Sequence, residues 1–157
     1  MEGQIILALG IGIAAVVEDL WRREISNWTS LVALVGGVGL HLYERGAHGI
    51  SSVFISALAG FCVFLVFYLL GGMGGGDIKL MAGFGAVLGK PGVLLEAALL
   101  TGFIGGLMAV LVLAFRGLAR LIQTPKVHGE EQAERRAHIP YAPAITLGVW
   151  LSLLGNF

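Results

Sequence analysis

The sequence predicts an all-α protein that crosses a membrane several times. Three observations carry that expectation: an apolar, charge-poor composition, apolar stretches of bilayer length, and a one-sided distribution of lysine and arginine. Hydrophobic residues make up 57% of the 157, charged residues 13%, and mean hydropathy is +0.88. A soluble domain carries about a quarter charged residues. A water-soluble core of this length cannot hide so much apolar surface, so lipid is the solvent for most of the chain. The formal charge is zero, which leaves no electrostatic footprint for nucleic acid. The single cysteine, Cys62, sits in an apolar run, so neither a disulfide framework nor a cysteine-based zinc site is available.

A helical span needs about 20 largely apolar residues. Six segments are candidates: Gly3–Val17, Asn27–Tyr43, Ser51–Leu70, Ile78–Leu95, Ala97–Phe115 and Ile139–Phe157. The first is short enough to resemble the apolar region of a signal peptide. No basic residue precedes it, however, and Glu18 and Asp19 stand where a small-residue cleavage site belongs, so it reads as a span. The second opens on Ser26-Asn27, whose side chains can cap a helix. The fourth is interrupted by Gly89, Pro91 and Gly92, and its helix is expected to end near Gly89. Glycine is abundant, with 25 residues, and the pairs Gly85/Gly89 and Gly102/Gly106 have the spacing that lets membrane helices approach closely.

Arg22, Arg23, Lys79, Arg116, Arg120, Lys126, Arg135 and Arg136 follow spans one, three and five, whereas only Arg45 and Lys90 follow spans two and four. The positive-inside rule therefore places the odd-numbered connections in the cytoplasm and both termini outside. The expected architecture is one domain over residues 1–157, with six transmembrane helices, N-out and C-out. The charged stretch Lys126–His138 reads as a solvated connector that helps to fix this topology.

Ionisable groups at membrane depth are costly and point to function. Asp19 ends the first span and Asp77 opens the fourth; they are the only aspartates, 58 residues apart in sequence, and this topology sets both at the cytoplasmic ends of their helices. Singly, each has an ordinary explanation: an interfacial ion pair of Asp19 with Arg22 and Arg23, and a helix-terminal role for Asp77. Together they suit acid–base chemistry. Two carboxyls held close share one proton, giving an ionised base and a protonated acid. The base takes a proton from water as it attacks a peptide carbonyl, and the acid hydrogen-bonds the developing oxyanion. The run Gly74-Gly75-Gly76 before Asp77 is expected to leave room for an extended substrate strand, with Gly76 using backbone conformations open only to glycine.

Gly74-Gly75-Gly76-Asp77-Ile78-Lys79-Leu80 resembles the GxGDxKL motif of type IV prepilin peptidases and archaeal preflagellin peptidases. Asp19-Leu20-Trp21-Arg22-Arg23-Glu24-Ile25-Ser26-Asn27-Trp28 is similar to that family's D-x-(basic)-IPN-W stretch, and His138-Ile139-Pro140-Tyr141-Ala142-Pro143-Ala144-Ile145 to the start of its last helix. The resemblance implies an intramembrane aspartyl endopeptidase in which Asp19 and Asp77 are catalytic and Gly74, Gly76, Lys79 and Asn27 belong to the supporting motif. It implies no metal and no cofactor. The implied substrates are pilin-like precursors with basic leaders, cut just before an apolar helix at the cytoplasmic face of the inner (cytoplasmic) membrane. Two departures stand out. Ser26 replaces the family's proline, and the extra cysteine-bearing cytoplasmic region of many bacterial relatives has no counterpart, so the likeness is to the peptidase-only form.

Other residues carry less. Glu18 and Glu96 read as interfacial, and Trp21, Trp28 and Tyr43 suit aromatic belts. His41, His48, His128 and His138 read as scattered across loops and opposite faces without metal-ligand spacing. The alternative function is non-enzymatic: a small proton- or ion-coupled transporter, or a pilus-assembly membrane component, using the two aspartates as a relay. A broader intramembrane protease is a further alternative.

Overall fold

Glycine, proline and one serine set the helix boundaries. The computed structural model describes residues 2–71, 73–122 and 141–156, apart from the side chains of 116, 117 and 119–122. Regular structure among them is all helical: α1 (Glu2–Arg22), α2 (Asn27–Arg45), a 3-10 turn (Gly46–Gly49), α3 (Ile50–Leu69), α4 (Gly75–Leu88), α5 (Pro91–Ile122) and α6 (Ala142–Gly155). Ser26 is the N-cap of α2, its Oγ accepting the Trp28 N–H at 3.1 Å, in keeping with its position in the sequence. Gly46, at φ 62°, ends α2, and Gly89, at φ 57°, ends α4 in the left-handed conformation that glycine adopts without penalty.

The boundaries of α5 differ from expectation at both of its ends. The fourth apolar segment is divided between two helices, because Pro91, whose missing N–H costs nothing in a first turn, starts α5 well before Ala97. Glu96 is consequently inside α5, not ahead of it. At its other end α5 continues past Arg116 to Ile122, into what the sequence predicts as a loop. Lys126–His138 lies outside the described residues.

Pairwise contacts show that successive helices alternate in direction. Gly3 faces Leu40 and Gly36 faces Leu7, so α1 and α2 are antiparallel. Along α4, Gly83 meets Ala33, Ala86 meets Gly37, and Gly89 meets His41, which makes α2 parallel to α4; Gly85 meets Ser56 and Met81 meets Gly60, which makes α3 antiparallel to it. α6 runs against both α1 and α5, through Trp150 with Ala8 and through Tyr141 with Gly105. Consequently the end of α1, the start of α2, the end of α3 and the starts of α4 and α6 meet at one end of the bundle.

α4 is the central helix. Ten of its fourteen residues are buried, and it lies in the slot between α2 and α3. That slot is made by missing side chains. A Cβ on Gly37 would lie 2.5 Å from the Ala86 carbonyl carbon, and one on Gly85 would lie 2.5 Å from the Ser56 oxygen. Lipid offers no hydrophobic gain for bringing helices together, so close backbone approach and dispersion hold such a bundle. Leu80, Met81, Phe84, Phe64, Leu94 and Ile145 fill the core around it.

Among the described residues, three stretches are long and apolar enough to cross a membrane: Glu2–Arg22, Asn27–Leu69 and Pro91–Phe115. The second contains α2 and α3, folded back on each other at Gly46. At 14 residues each, α4 and α6 reach about 21 Å, short of a bilayer core of about 30 Å.

Candidate active site

Asp19 and Asp77 line one cavity of about 640 Å³, together with Arg22, Arg23, Glu24, Ile25, Ser26, Asn27, Lys79 and the Gly74–Gly76 run. The two carboxyls come from α1 and α4 and are 3% and 5% exposed. Each has one oxygen held by a backbone amide at a helix start. Asp19 Oδ2 accepts the Ala142 N–H at 3.0 Å, and Asp77 Oδ2 accepts the Gly74 N–H at 3.0 Å. Helix starts present N–H groups without intrahelical partners, which suits them to hold carboxylates. The charged lining balances, with Asp19, Glu24 and Asp77 against Arg22, Arg23 and Lys79.

The glycine run plays a different part from the one expected. Gly74 is extended at φ −81°, ψ 157°, and caps α4, while Gly75 and Gly76 are already in the helix. Among the described residues, positive φ occurs in glycines at Gly46, Gly71 and Gly89, and Gly76 is not among them. What Gly76 supplies is space: a Cβ there would lie 3.1 Å from Ile25 Cβ and 3.4 Å from Ile25 N. The α1–α2 connection thus packs directly on the first turn of α4, beside Asp77.

That connection is fastened by Glu18, a residue that reads as merely interfacial in the sequence. Glu18 Oε2 accepts the Ser26 N–H at 2.9 Å and the Thr29 hydroxyl at 2.8 Å. It acts from α1 as the acidic member of a capping box acts from within a helix, satisfying the backbone N–H of the N-cap. A proline at position 26 would have no N–H to give Glu18. The departure from the family's motif and the bond to Glu18 therefore go together. The E-D pair beside the S-N pair was the available signal; what it lacked was the fold-back that brings them into contact. Arg23, at φ 57°, closes α1 through its N–H to the Asp19 carbonyl at 2.9 Å, a conformation costly for a side-chain-bearing residue and typical of functional loops.

Lys79 and Asn27 form a pair: Lys79 Nζ donates to Asn27 Oδ1 at 2.9 Å, tying α4 to the start of α2 at the edge of the cavity. Trp21 and Trp28 are exposed at this end of the bundle and Tyr43 at the other.

His41 is in α2, as the second span predicts. It is wholly buried on α2 at the far end, where its Nε2 lies 3.1 Å from the Val87 carbonyl and 3.2 Å from Gln4 Nε2. One ring nitrogen cannot serve both: protonated, Nε2 donates to Val87, a carbonyl in the last turn of α4 that has no helical partner, and unprotonated, it accepts from Gln4. Glu96, also at that end, accepts from Asn156 Nδ2 at 2.6 Å. His48 is in the 3-10 turn, and His128 and His138 lie outside the described residues. Among the described residues no group of three or more His, Cys, Asp or Glu side chains is placed to hold a metal ion.

A sequence model of the type IV leader peptidase family matches residues 6–114, a range that holds both aspartates and the whole 18–29 segment. The chain is also similar to a preflagellin peptidase of Methanococcus maripaludis (strain C6 / ATCC BAA-1332), 37% identical over 89 residues. That match covers 55% of this chain and 38% of the relative, so the chain spans well under half of the relative's length. No solved structure matches it.

Proposed function

The chain belongs to the type IV leader peptidase family, and from that premise we propose that it is an aspartyl endopeptidase that removes the leader of pilin-like or flagellin-like precursors at the cytoplasmic face of the cytoplasmic membrane. The observation that carries this reading is the shared cavity: two buried carboxyls from distant parts of the chain, each steadied by a backbone N–H, with a helix-capping loop against both. In the proposed reaction one carboxylate removes a proton from water as the oxygen attacks the scissile carbonyl, and the other, protonated, donates to the oxyanion. Collapse of the tetrahedral intermediate then expels the amine, which takes up a proton from the pair.

Six spans with both termini outside, and a basic leader on the substrate, complete the reading. The balanced charge of the cavity gives the leader's basic residues no acidic cluster there, so the basic character of the leader rests on the family likeness alone. Purified protein in detergent, incubated with a precursor and no ion gradient, tests the proposal. Release of the leader at one peptide bond supports it; an intact precursor together with ion flux in sealed vesicles would favour a transporter.

A further inference from the structure

A second cavity, of about 780 Å³, runs as a groove between α1 and α2. It is lined by aliphatic side chains and small residues, among them Leu7, Gly10, Ala14, Val32 and Gly39. Trp28 and Tyr43 mark its two ends on α2, 15 residues and hence about 22 Å apart. Dividing the volume by that length gives a mean cross-section on the order of 35 Å². A helix with its side chains is about 10 Å across, so the groove takes one face of a helix and leaves the rest in lipid.

Two glycines set this groove apart from the packed interior. A Cβ on Gly37, Gly83 or Gly85 would strike a neighbouring helix, which explains the absence of one; a Cβ on Gly10 or Gly39 would meet nothing within 4 Å. Glycine inside a helix costs about 1 kcal/mol relative to alanine. Contacts within this chain give no return for that cost at Gly10 and Gly39, whereas a partner helix lying in the groove would approach their bare backbone closely.

The groove ends beside the candidate active site. Trp28 and Thr29 line its near end, the preceding Ser26 and Asn27 line the aspartate cavity, and the Thr29 hydroxyl is bonded to Glu18, next to Asp19. A chain leaving the cavity past Asn27 would next meet Trp28, at the end of the groove. The lining holds no charged side chain, so a charged leader would be desolvated there without partners. Only an apolar segment suits it.

We propose that the α1–α2 groove seats the apolar helix that follows the scissile bond of the precursor, anchoring the substrate while its leader side is threaded between Asp19 and Asp77. This rests on the peptidase reading and adds to it an anchoring site for the substrate helix. Specificity then has two parts, chemistry in the cavity and affinity in the groove.

The test compares a precursor carrying its apolar helix with a soluble peptide that spans the same scissile bond but lacks the helix. Gly39→Leu adds bulk to the groove at a position where an added Cβ meets nothing within 4 Å. It is expected to raise KM for the precursor about tenfold or more, with kcat within about twofold and the peptide's kcat/KM unchanged. As a second readout, Gly39→Cys in a Cys62→Ser background, reconstituted in bilayers, should form disulfides with cysteines placed every three to four residues along the precursor's helix. Unchanged precursor kinetics, equal losses on both substrates, or cross-links only between two copies of this chain overturn the proposal, as does a lipid held in the groove that the precursor fails to displace. If the wild-type protein cleaves neither substrate, the peptidase reading fails instead, and cross-linking of the uncut precursor still decides the groove.

Discussion

The carboxylate of Asp19 accepts the backbone N–H of Ala142 at 3.0 Å, joining the end of the first helix to the start of the last across 123 residues of chain. The bond serves both groups. It satisfies a first-turn amide of α6 that no helical carbonyl reaches, and it fixes one oxygen of a carboxyl that faces the cavity. Asp77 and Gly74 repeat the arrangement at the start of α4.

This pairing separates chemistry from folding in the aspartate variants. Asn retains an acceptor oxygen but cannot exchange the proton. Asp19→Asn and Asp77→Asn are therefore expected to abolish cleavage while thermal unfolding of the detergent-solubilised protein stays close to wild type. Asp19→Leu leaves the buried Ala142 N–H unpaired and should in addition cost about 1–3 kcal/mol. Appreciable activity in either Asn variant would remove the pair from the mechanism.

Glu18 is expected to act as a positioning residue. Glu18→Ala releases Ser26 and Thr29, and with them the loop that packs on Gly76. A shift of about 1 Å in such a site costs on the order of a hundredfold, so kcat/KM should fall roughly ten- to a hundredfold with the protein still folded. Glu18→Gln, which keeps an acceptor, should recover most of that loss. If alanine and glutamine behave alike, the carboxylate's bonds do not matter to catalysis.

Ser26 tests the same connection from the other side. Its φ of −63° already suits proline, so Ser26→Pro meets no backbone clash at that angle. It gives up the N–H bonded to Glu18 and the Oγ cap on Trp28. Stability is expected to fall by about 1–2 kcal/mol, more than the gain of a few tenths to about 1 kcal/mol from a stiffer unfolded chain. A denaturation midpoint higher than wild type would contradict this account.

Gly76→Val and Gly36→Val should differ in kind. A valine side chain in place of Gly76 would press on Ile25 and the loop backbone beside Asp77, whereas in place of Gly36 it would meet the movable side chain of Leu7. Because Gly36 also lines the α1–α2 groove, the comparison uses a soluble peptide that spans the scissile bond but lacks the apolar helix; its cleavage, at matched levels of folded protein, should drop at least about tenfold more for the first variant than for the second. Equal losses would make Gly76 a packing residue only.

Topology is tested by cysteine labelling in a Cys62→Ser background. Glu24→Cys, at the aspartate end, is expected to react only after the cytoplasmic side is exposed, and His48→Cys, at the other end, from outside. The reverse pattern would invert the orientation and move the cavity to the outer face.

The all-helical class, the helix boundaries at Ser26 and Gly89, and the pair Asp19 and Asp77 were readable from the chain alone. Each depends on local chemistry: apolar run length, capping residues, and acids too costly to stand in lipid without a use. The sequence could not show that Glu18 fastens the α1–α2 loop, that Lys79 bonds Asn27, or that His41 is buried against the end of α4. Nor could it show that a Cβ on Gly76 would press on Ile25, or that Gly39 opens onto a groove between α1 and α2. Those facts depend on which helix faces which, and a glycine or a glutamate looks the same in sequence whatever lies opposite it. Close approach of backbones and hydrogen bonds between distant segments exist only once the helices are packed, so the tertiary structure alone decided them.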